Sequence, residues 1–493
     1  MATIWINGVP RQVAVGTRLS EVLTHASHPC GGKGVCGKCR VRATGALSPL
    51  SAAEERHLTA FEVADDVRLS CCTTVQGDCR VTTAAEEGMA VCVDGVESTA
   101  PHAPAFAAYG VAVDIGTTTL AARLYATDGR LLAQAGEINP QTAYGADVLS
   151  RVEAAGQGSD LVTPLRNAVN GLLSRLAEMA GIRAAAVDGL VIAANTAMLC
   201  FLTDTDPTPL SHAPFVLPHA FGETRTAAQL GLSAVPADTP VYLPPCASAF
   251  IGADALCVAL ACDMYDEMHT VLLADMGTNG EMLLCHQGAV YACSTAAGPA
   301  FEGVGISCGM SAVAGAVDEV LSANGRLLVH TIGGVAPTGI CGSGLVDAAA
   351  CLLTNGEMDG NGCIDGTVTL CDGVTLTQQD IRALQQAKGA VSAGLQTLLH
   401  RAAVSADGVE RLCVAGGFGS RLNGQNAALI GLIPRVLATR IRPVGNGALD
   451  GAARLLLDVT ARDDVVRLAQ KTQVVELATD PYFADLFIKN MSF

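Results

Sequence analysis

Two groups of side chains in this sequence have types and spacings that could do chemistry. The first is the run Cys30-Gly-Gly-Lys-Gly-Val-Cys36-Gly-Lys-Cys39, followed downstream by Arg-Leu-Ser-Cys71-Cys72. Three thiolates in one short loop and a fourth from a distant one can hold a [2Fe-2S] cluster. The interleaved glycines let the loop wrap closely and aim N–H groups at the sulfurs. Zinc is the competing occupant. Zinc sites usually pair two short Cys-x-x-Cys knuckles, and here only Cys36 and Cys39 have that spacing.

The second group is a pair of turns, each carrying an acid: Asp114-Ile-Gly116-Thr117-Thr118-Thr119 and Asp275-Met-Gly277-Thr278-Asn279-Gly280. Gly116 and Gly277 leave no side chain between backbone N–H groups and a bound anion, and the threonine hydroxyls add donors. Asp114 and Asp275 can hold Mg²⁺ through water, since that ion keeps much of its hydration. One Asp-x-Gly-Thr turn also makes an ordinary hairpin; two in the same strand context point to phosphate. Three further stretches are rich in small residues. Cys293–Met310 has Glu302 as its one carboxylate. Pro337–Asp347, with Gly342, Ser343 and Gly344, reads as a loop entering a helix, an anion or ribose site in principle. Leu412–Asn423, with Gly416, Gly417 and Gly419, reads as a strand running into a glycine turn.

The elements that must position these groups follow from periodicity. Val111–Gln134 and Val271–Cys293 each read as a strand ending in Asp, a tight turn and two more strands. Such a duplication implies two similar half-domains facing one cleft. At the start of the chain, strands Thr3–Asn7 and Arg11–Val15 precede a helix from about Arg18 to His25, with Leu19, Val22 and Leu23 inward. Ser51 and Glu54 form a capping box, and Cys79 sits in a strand as core. Thr163 and Pro164 open a helix whose Leu165, Val169, Leu172, Leu176 and Met179 form one face and which Gly181 ends. Gly189–Ala193 is a buried strand. Thr377 and Asp380 cap a helix with Ile381, Leu384, Val391, Leu395 and Leu398 on one side. Residues 84–109 lose periodicity and read as a moderately flexible linker. The domains are therefore expected at 1–83, 110–268 and 269–493.

Composition narrows the class. The 493 residues suffice for about three domains. The apolar run Gly189–Thr203 is too short for a bilayer span and contains Asn195 and Thr196. No signal peptide is visible at the start, so a cytoplasmic protein is expected. Nineteen cysteines, an odd number scattered through apolar segments, do not form a secreted disulfide framework. A net charge of −17 argues against nucleic acid.

Several resemblances sharpen this picture. The N-terminal strands and helix resemble the opening of a ferredoxin-like β-grasp domain. The cysteine spacing departs from the plant type and resembles the adrenodoxin-like arrangement. Cys71 follows Arg-Leu-Ser as the fourth ligand does in related ferredoxin domains, which favours it over Cys72. The paired turns resemble the phosphate-1 and phosphate-2 motifs of the acetate and sugar kinase, chaperone and actin (ASKHA) superfamily, implying ATP between two actin-like subdomains and an adenosine motif at Gly416–Gly419. The strings NPQ…YGADVLSR, DMGTNGE, STAAGPAFEG, GICGSGLVD and AGGFG resemble the reductive activators of corrinoid-dependent enzymes, and this likeness covers nearly the whole chain. It implies an α/β protein with an N-terminal α+β domain that uses ATP and Mg²⁺ to pass an electron from its cluster to Co(II) on a corrinoid protein, or a corrinoid-dependent methyltransferase system, restoring Co(I). Asp114, Asp275 and Glu302 would be catalytic. An unidentified low-potential donor would supply the electron, and a homodimer is an open assembly. Asn195 stays outside the expected site, because AANTAML lacks the Gly and His expected around it. Two other classes share these features: a small-molecule kinase with a fused redox domain, and a redox-controlled nucleotide-binding module.

Overall fold

The computed structural model describes residues 1–6, 8–23, 32–35, 37, 39–58, 60–64, 66–82, 103–145, 147–265, 268–277, 279–323 and 325–493. Cys30, Cys36, Thr278 and most of the interval 84–109 lie outside the described residues.

Strands β1 (Ala2–Ile6), β2 (Val9–Val13), β3 (Arg40–Leu47), β4 (Val67–Leu69) and β5 (Val75–Thr82) form a mixed sheet in the order β2-β1-β5-β3-β4. Alternation sends Ile4, Val41, Ala43, Val75, Cys79 and Val81 to one face, where they pack with Leu19 and Leu23. Cys79 stands opposite Ile4 and is buried, as core packing requires. The described helix is short, Leu19–Val22. Ser51 and Glu54 make the expected capping box on the helix Ala52–His57.

The body is built twice on one plan. Strands β6 (Tyr109–Ile115), β7 (Thr119–Ala126), β8 (Leu131–Ile138), β9 (Val187–Ala194), β10 (Glu223–Thr226) and β11 (Pro240–Leu243) form the first large sheet, in the order β10-β11-β9-β6-β7-β8. The second half opens with β12 (Val271–Met276), β13 (Gly280–His286) and β14 (Ala289–Thr295). A three-stranded sheet of β15 (Ala316–Ala323), β16 (Arg326–Thr331) and β17 (Gly339–Ile340) and a hairpin of β18 (Val368–Cys371) and β19 (Val374–Leu376) are inserted next. The chain then completes the second large sheet with β20 (Arg411–Ala415), β21 (Ile441–Gly445) and β22 (Thr472–Val474), in the order β21-β20-β12-β13-β14-β22. In each half an antiparallel triplet carries a parallel strand on its first member, β9 on β6 and β20 on β12.

Central strands are mostly apolar because both faces are covered. In β6, Val111 and Val113 face the layer that holds the helix Val162–Met179, while Ala112 faces a core shared by both halves. That shared core contains two helices, Ala253–Ala261 and Gly447–Leu457. They approach so closely that a Cβ on Gly451 would lie 2.1 Å from the Cys257 carbonyl oxygen, leaving room only for glycine. Arg123 of β7 and Asp450 of the second helix form a buried ion pair at 2.6 Å.

Three expectations need correction. The helix expected to start at Thr163 begins at Val162, and its first N–H groups are capped by Asp160, which accepts from Val162 and Thr163. Met179, expected on the buried face, is 58% exposed. The buried stripe ends at Ala177, and Met179 is the last helical residue before the chain reverses at Gly181. The end of the expected linker is pinned to the body. Ala105 donates to the Leu456 carbonyl, and Asp188 accepts from Ala107, Ala108 and Tyr109. Thr377 and Asp380 cap the helix Gln378–Arg401 as expected, with its five named apolar residues buried. Among the described residues no helix is long and apolar enough to cross a membrane.

Candidate functional site

The duplication places Asp114 and Asp275 at equivalent strand ends. Asp114 pairs with Ala121 and Ala193, and Asp275 with Glu281 and Ala415. Burial, and then repulsion from Asp254, push the Asp114 carboxyl up to about 7; a hydrogen bond from Asn446 opposes them, and Asp275 adds to the rise. Burial, Asp254 and Glu302 push Asp275 up to about 7 as well. Asp254 itself is raised to about 6 by burial. Glu281 is driven well up by burial and by Asp254 and Asp275. Five carboxyl groups, each only partly exposed, thus feel one another, and Asp254 acts on three of the others. A divalent cation would discharge that repulsion.

Each turn is held from behind. In the first, Gly116 N–H donates to the Thr119 carbonyl at 2.9 Å. Asn139 donates from Nδ2 to the Gly116 carbonyl at 2.9 Å and from its backbone to Thr118. Asn195 donates to Thr117 Oγ1 at 3.1 Å while its own Oδ1 accepts from Met198 N–H. Gln141 and the fully buried Arg151 extend this brace, binding the carbonyls of Leu161 and Gly145. The NPQ…YGADVLSR string is therefore the support of the first turn. The second turn is one residue shorter, with Met276 pairing Gly280 where Ile115 pairs Leu120. Gly277 N–H donates to Asn279, and a Cβ on Gly277 would lie 3.5 Å from Glu302 Oε1.

The small-residue stretches converge on this place from the second half. Phe301 and Phe418 stack at 4.7 Å, and a Cβ on Gly342 would strike both the Phe301 carbonyl and the Phe418 ring. Glu302, the helix Gly342–Asn355 and the Gly416–Gly419 loop are thereby packed together. Gly416 has φ 86° and would bring a Cβ within 3.4 Å of Asp275 Oδ1. Gly344 and Gly419 are demanded by packing on Val317 and Val414, and Ser343 is buried. Gly280 is packed beside Thr295. Gly417 differs, for a side chain there would meet nothing within 4 Å. Sequence reading missed Asp254, Glu281, Asn446, Asn139 and Asn195 as members of this place. Glu281 and Asn139 stood inside quoted strings, while Asn446 carried no local signal.

Cys39 immediately precedes β3 and Cys71 follows β4, and the antiparallel pairing of those strands brings their sulfurs to 3.2 Å, both buried. Cys72 Sγ lies 3.5 Å from Cys71 Sγ and is less buried. Burial, and then the Cys39 and Cys72 thiols, push the Cys71 thiol far above its ordinary value. Arg40 steadies the loop by donating to the carbonyls of Gly37 and His57 and pairing with Glu62. Among the described residues no three His, Cys, Asp or Glu side chains converge on one metal position.

Comparison with known proteins agrees with this architecture. Residues 269–493 match the family model for the C-terminal domain of RACo, the ASKHA domain, and residues 109–267 match that for the RACo middle region. The corrinoid activation enzyme RamQ of Eubacterium limosum is 32% identical over 424 residues, covering 78% of this chain and 70% of that protein. The [Co(II) methylated amine-specific corrinoid protein] reductase of Methanosarcina barkeri is 25% identical over 428 residues, covering 78% and 77%. A solved structure described as a reductive activator for corrinoid, iron-sulfur protein superposes with a TM-score of 0.71 at 25% identity, over 100% of this chain and 98% of that one. With one sheet plan built twice and relatives of this identity and coverage, the chain belongs to the family of reductive activators of corrinoid proteins, on an actin-like ATPase fold.

Proposed function

We propose that this chain is an ATP-dependent reductive activator acting on the Co(II) corrinoid of a partner protein. The observation that carries this is the presence, in one chain, of a buried thiol pair at Cys39 and Cys71 and a duplicated pair of facing acidic turns at Asp114 and Asp275. The relatives named above act on corrinoid proteins, which supplies the partner class. Residues 1–83 would be a β-grasp [2Fe-2S] domain, 84–109 its connection, and 110–268 and 269–493 the two actin-like subdomains. An unidentified low-potential donor would supply the electrons.

The residues present fit both cofactors. Cys39 and Cys71 would be two of four sulfur ligands, with Cys30 and Cys36 as the others. The cluster, when bound, would supply one electron to Co(II), giving Co(I) and the oxidised cluster. Asp114 and Asp275 would hold the hydration shell of Mg²⁺ against the phosphates, with Asp254 adding negative charge nearby. The turns at Gly116 and Gly277 would offer N–H donors, with the hydroxyls of Thr117, Thr118, Thr119 and Thr278 beside them. Gly417 faces space that a side chain would fill, as a nucleotide-lining residue should. Gly342, Gly344 and Gly419 serve close packing and would shape the walls of the nucleotide site. Glu302 would orient water beside the second turn.

ATP matters because reducing Co(II) from a milder donor is uphill. Each ~60 mV of one-electron mismatch is about 1.4 kcal/mol. Closure of the halves on nucleotide could favour a docked complex, and shifting such an equilibrium from 1:99 to 99:1 takes roughly 5.5 kcal/mol of differential affinity. The test is to mix the reduced protein with a Co(II) corrinoid protein, with and without Mg-ATP, and follow the visible spectrum. Co(I) should form only with ATP. Asp114→Ala and Asp275→Ala should each abolish ATP turnover while the iron content stays normal. Equal Co(I) formation without ATP, or ATP hydrolysis by both variants at the parent rate, would overturn the proposal.

A further inference from the structure

Three asparagines stand behind the first turn, each at the start of a helical segment. Asn139 caps the short 3₁₀ helix Pro140–Ala143 by accepting from Gln141 N–H, and Asn195 caps the helix Thr196–Thr203 by accepting from Met198 N–H. Asn446 caps the helix Gly447–Leu457 by accepting from Leu449 N–H. In every case the cap uses Oδ1, so the amide cannot be turned over without losing it. The Nδ2 groups are left to face the other way, and all three donate into residues 114–117. Asn446 donates to Asp114 Oδ2 at 3.0 Å, Asn139 to the Gly116 carbonyl at 2.9 Å and Asn195 to Thr117 Oγ1 at 3.1 Å.

Two of these bonds decide what the turn can offer a ligand. A trans peptide holds its C=O and N–H on opposite sides. Drawing the Gly116 carbonyl onto the fully buried Asn139 therefore turns the Thr117 N–H away from the core. An Nδ2 group is a donor only, so Thr117 Oγ1 accepts from Asn195 and must spend its own proton elsewhere. Among the described residues neither the N–H nor the O–H of Thr117 meets an acceptor. Two donors left over on one half-buried residue make a small acceptor site. The duplication shows that this device belongs to the first half. Asp114 pairs with Ala193 and Asp275 with Ala415, so the position two residues on is Asn195 in one half and Gly417 in the other. Gly417 has no side chain to brace its turn, and Gly277 bonds within its own turn, to Asn279.

We propose that Asn139 and Asn195 are positioning residues that make Thr117 a paired donor, N–H and O–H together, for one phosphate group of the bound nucleotide. This rests on the nucleotide site proposed above. Neither asparagine touches the phosphate; each fixes which way one donor of Thr117 points. An ionised phosphate oxygen, which accepts several hydrogen bonds and donates none, suits such a pair.

Calorimetric titration of the full chain with Mg²⁺ and a non-hydrolysable ATP analogue tests this. Thr117→Val, which keeps the shape and deletes the hydroxyl, should weaken binding about 10- to 100-fold, the loss expected for a hydrogen bond to a charged group. Asn195→Ser keeps an oxygen at the cap but has no amide to reach Thr117, so it should weaken binding about two- to tenfold and leave thermal melting close to the parent's. Asn195→Asp, whose second oxygen would take the Thr117 proton, should lose more than Asn195→Ser. The deciding measurement is Asn195→Ser in the Thr117→Val background, where it should cost less than about twofold because the group it acts through is gone. An equal loss in both backgrounds would leave Asn195 a helix cap alone and overturn its positioning role. Asn139→Asp keeps the cap and sets an acceptor against the Gly116 carbonyl, so it should weaken binding about tenfold or more; parent-level binding there would overturn the role of Asn139. Parent-level binding by Thr117→Val would overturn the donor pair and leave the nucleotide site standing. A parent chain that binds no Mg-nucleotide would overturn the site itself.

Discussion

Asn446 donates to Asp114 Oδ2 at 3.0 Å, joining residues 332 positions apart. The bond opposes the burial and repulsion that raise the Asp114 carboxyl, and it fixes which way that carboxylate faces. Asn446→Asp keeps the oxygen that caps the helix and replaces the donor by a second negative group. Losing a hydrogen bond to a charged group costs about 1.5–3 kcal/mol, so ATP turnover should fall about 10- to 100-fold. Thermal melting should move by only a few degrees, because the cap survives. Parent-level turnover in Asn446→Asp would show that Asp114 does not need this partner.

The Arg123–Asp450 pair is nearly dry, with side chains 6% and 8% exposed. Removing one partner leaves a buried charge uncompensated, which typically costs about 3–5 kcal/mol, whereas replacing both by apolar residues of similar size is often neutral. Asp450→Leu alone should therefore lower the denaturant midpoint of the body sharply, and Arg123→Met with Asp450→Leu should recover most of it. Equal losses in the single and double variants would mean that packing, not charge, sets the contact.

The repeat was readable because its signals are local. Alternation and an Asp-x-Gly turn lie within a few residues of one another, so Val111–Gln134 and Val271–Cys293 announce the same triplet. Repeat logic also hid a residue. Asp114 faces Ala121 across the hairpin, but Asp275 faces Glu281, so the extra carboxylate has no counterpart to draw attention to it. Asp254 opens a helix that looks like plain core from its apolar sequence. Asn446 and the anchoring of residues 103–109 needed the fold, since nothing in the local sequence pairs Ala103 with Leu457 or Ala107 with Asp188. The linker reads as loose because alanine and proline have no periodicity, while the hydrogen bonds of its described end, residues 103–109, run to distant backbone and to one carboxylate.

Glu54 sets an acid limit on the N-terminal domain. Burial alone would raise its carboxyl, but the Arg68 guanidinium at 2.8 Å and the N–H groups of Ser51 and Leu69 outweigh burial and hold it at about 2, below the ordinary 4.5. A depressed folded value means that the carboxylate stabilises fully above about 4.5 and that this contribution drains away as pH falls toward 2. The difference is worth roughly 3 kcal/mol. Glu54→Gln should be destabilised by about that amount at pH 7, and the gap to the parent should narrow progressively as pH falls from 4.5 toward 2, measured by urea unfolding. A gap constant across this range would remove the carboxylate's charge from the account.

The cysteines adjacent at the end of β4 separate a ligand from a neighbour. Cys71 lies 3.2 Å from Cys39 across the strand pair and is 4% exposed, while Cys72 is half-buried and packs toward the loop at Gly34. With Cys30, Cys36, Cys39 and Cys71 as the proposed ligands of one [2Fe-2S] unit, the anaerobically purified chain should hold about two irons. Cys30→Ala, Cys36→Ala, Cys39→Ala and Cys71→Ala should each lose the visible absorbance of the cluster; Cys72→Ala should keep it. Stripping the metal with a chelator should destabilise the N-terminal domain, because the buried Cys39 and Cys71 would then face each other without a cation, and should leave ATP binding by residues 110–493 intact. Stoichiometric zinc with no visible absorbance would replace the cluster by a structural site. A cluster that survives Cys71→Ala but not Cys72→Ala would move the fourth ligand by one residue, to the side chain that the β3–β4 pairing leaves farther from the core.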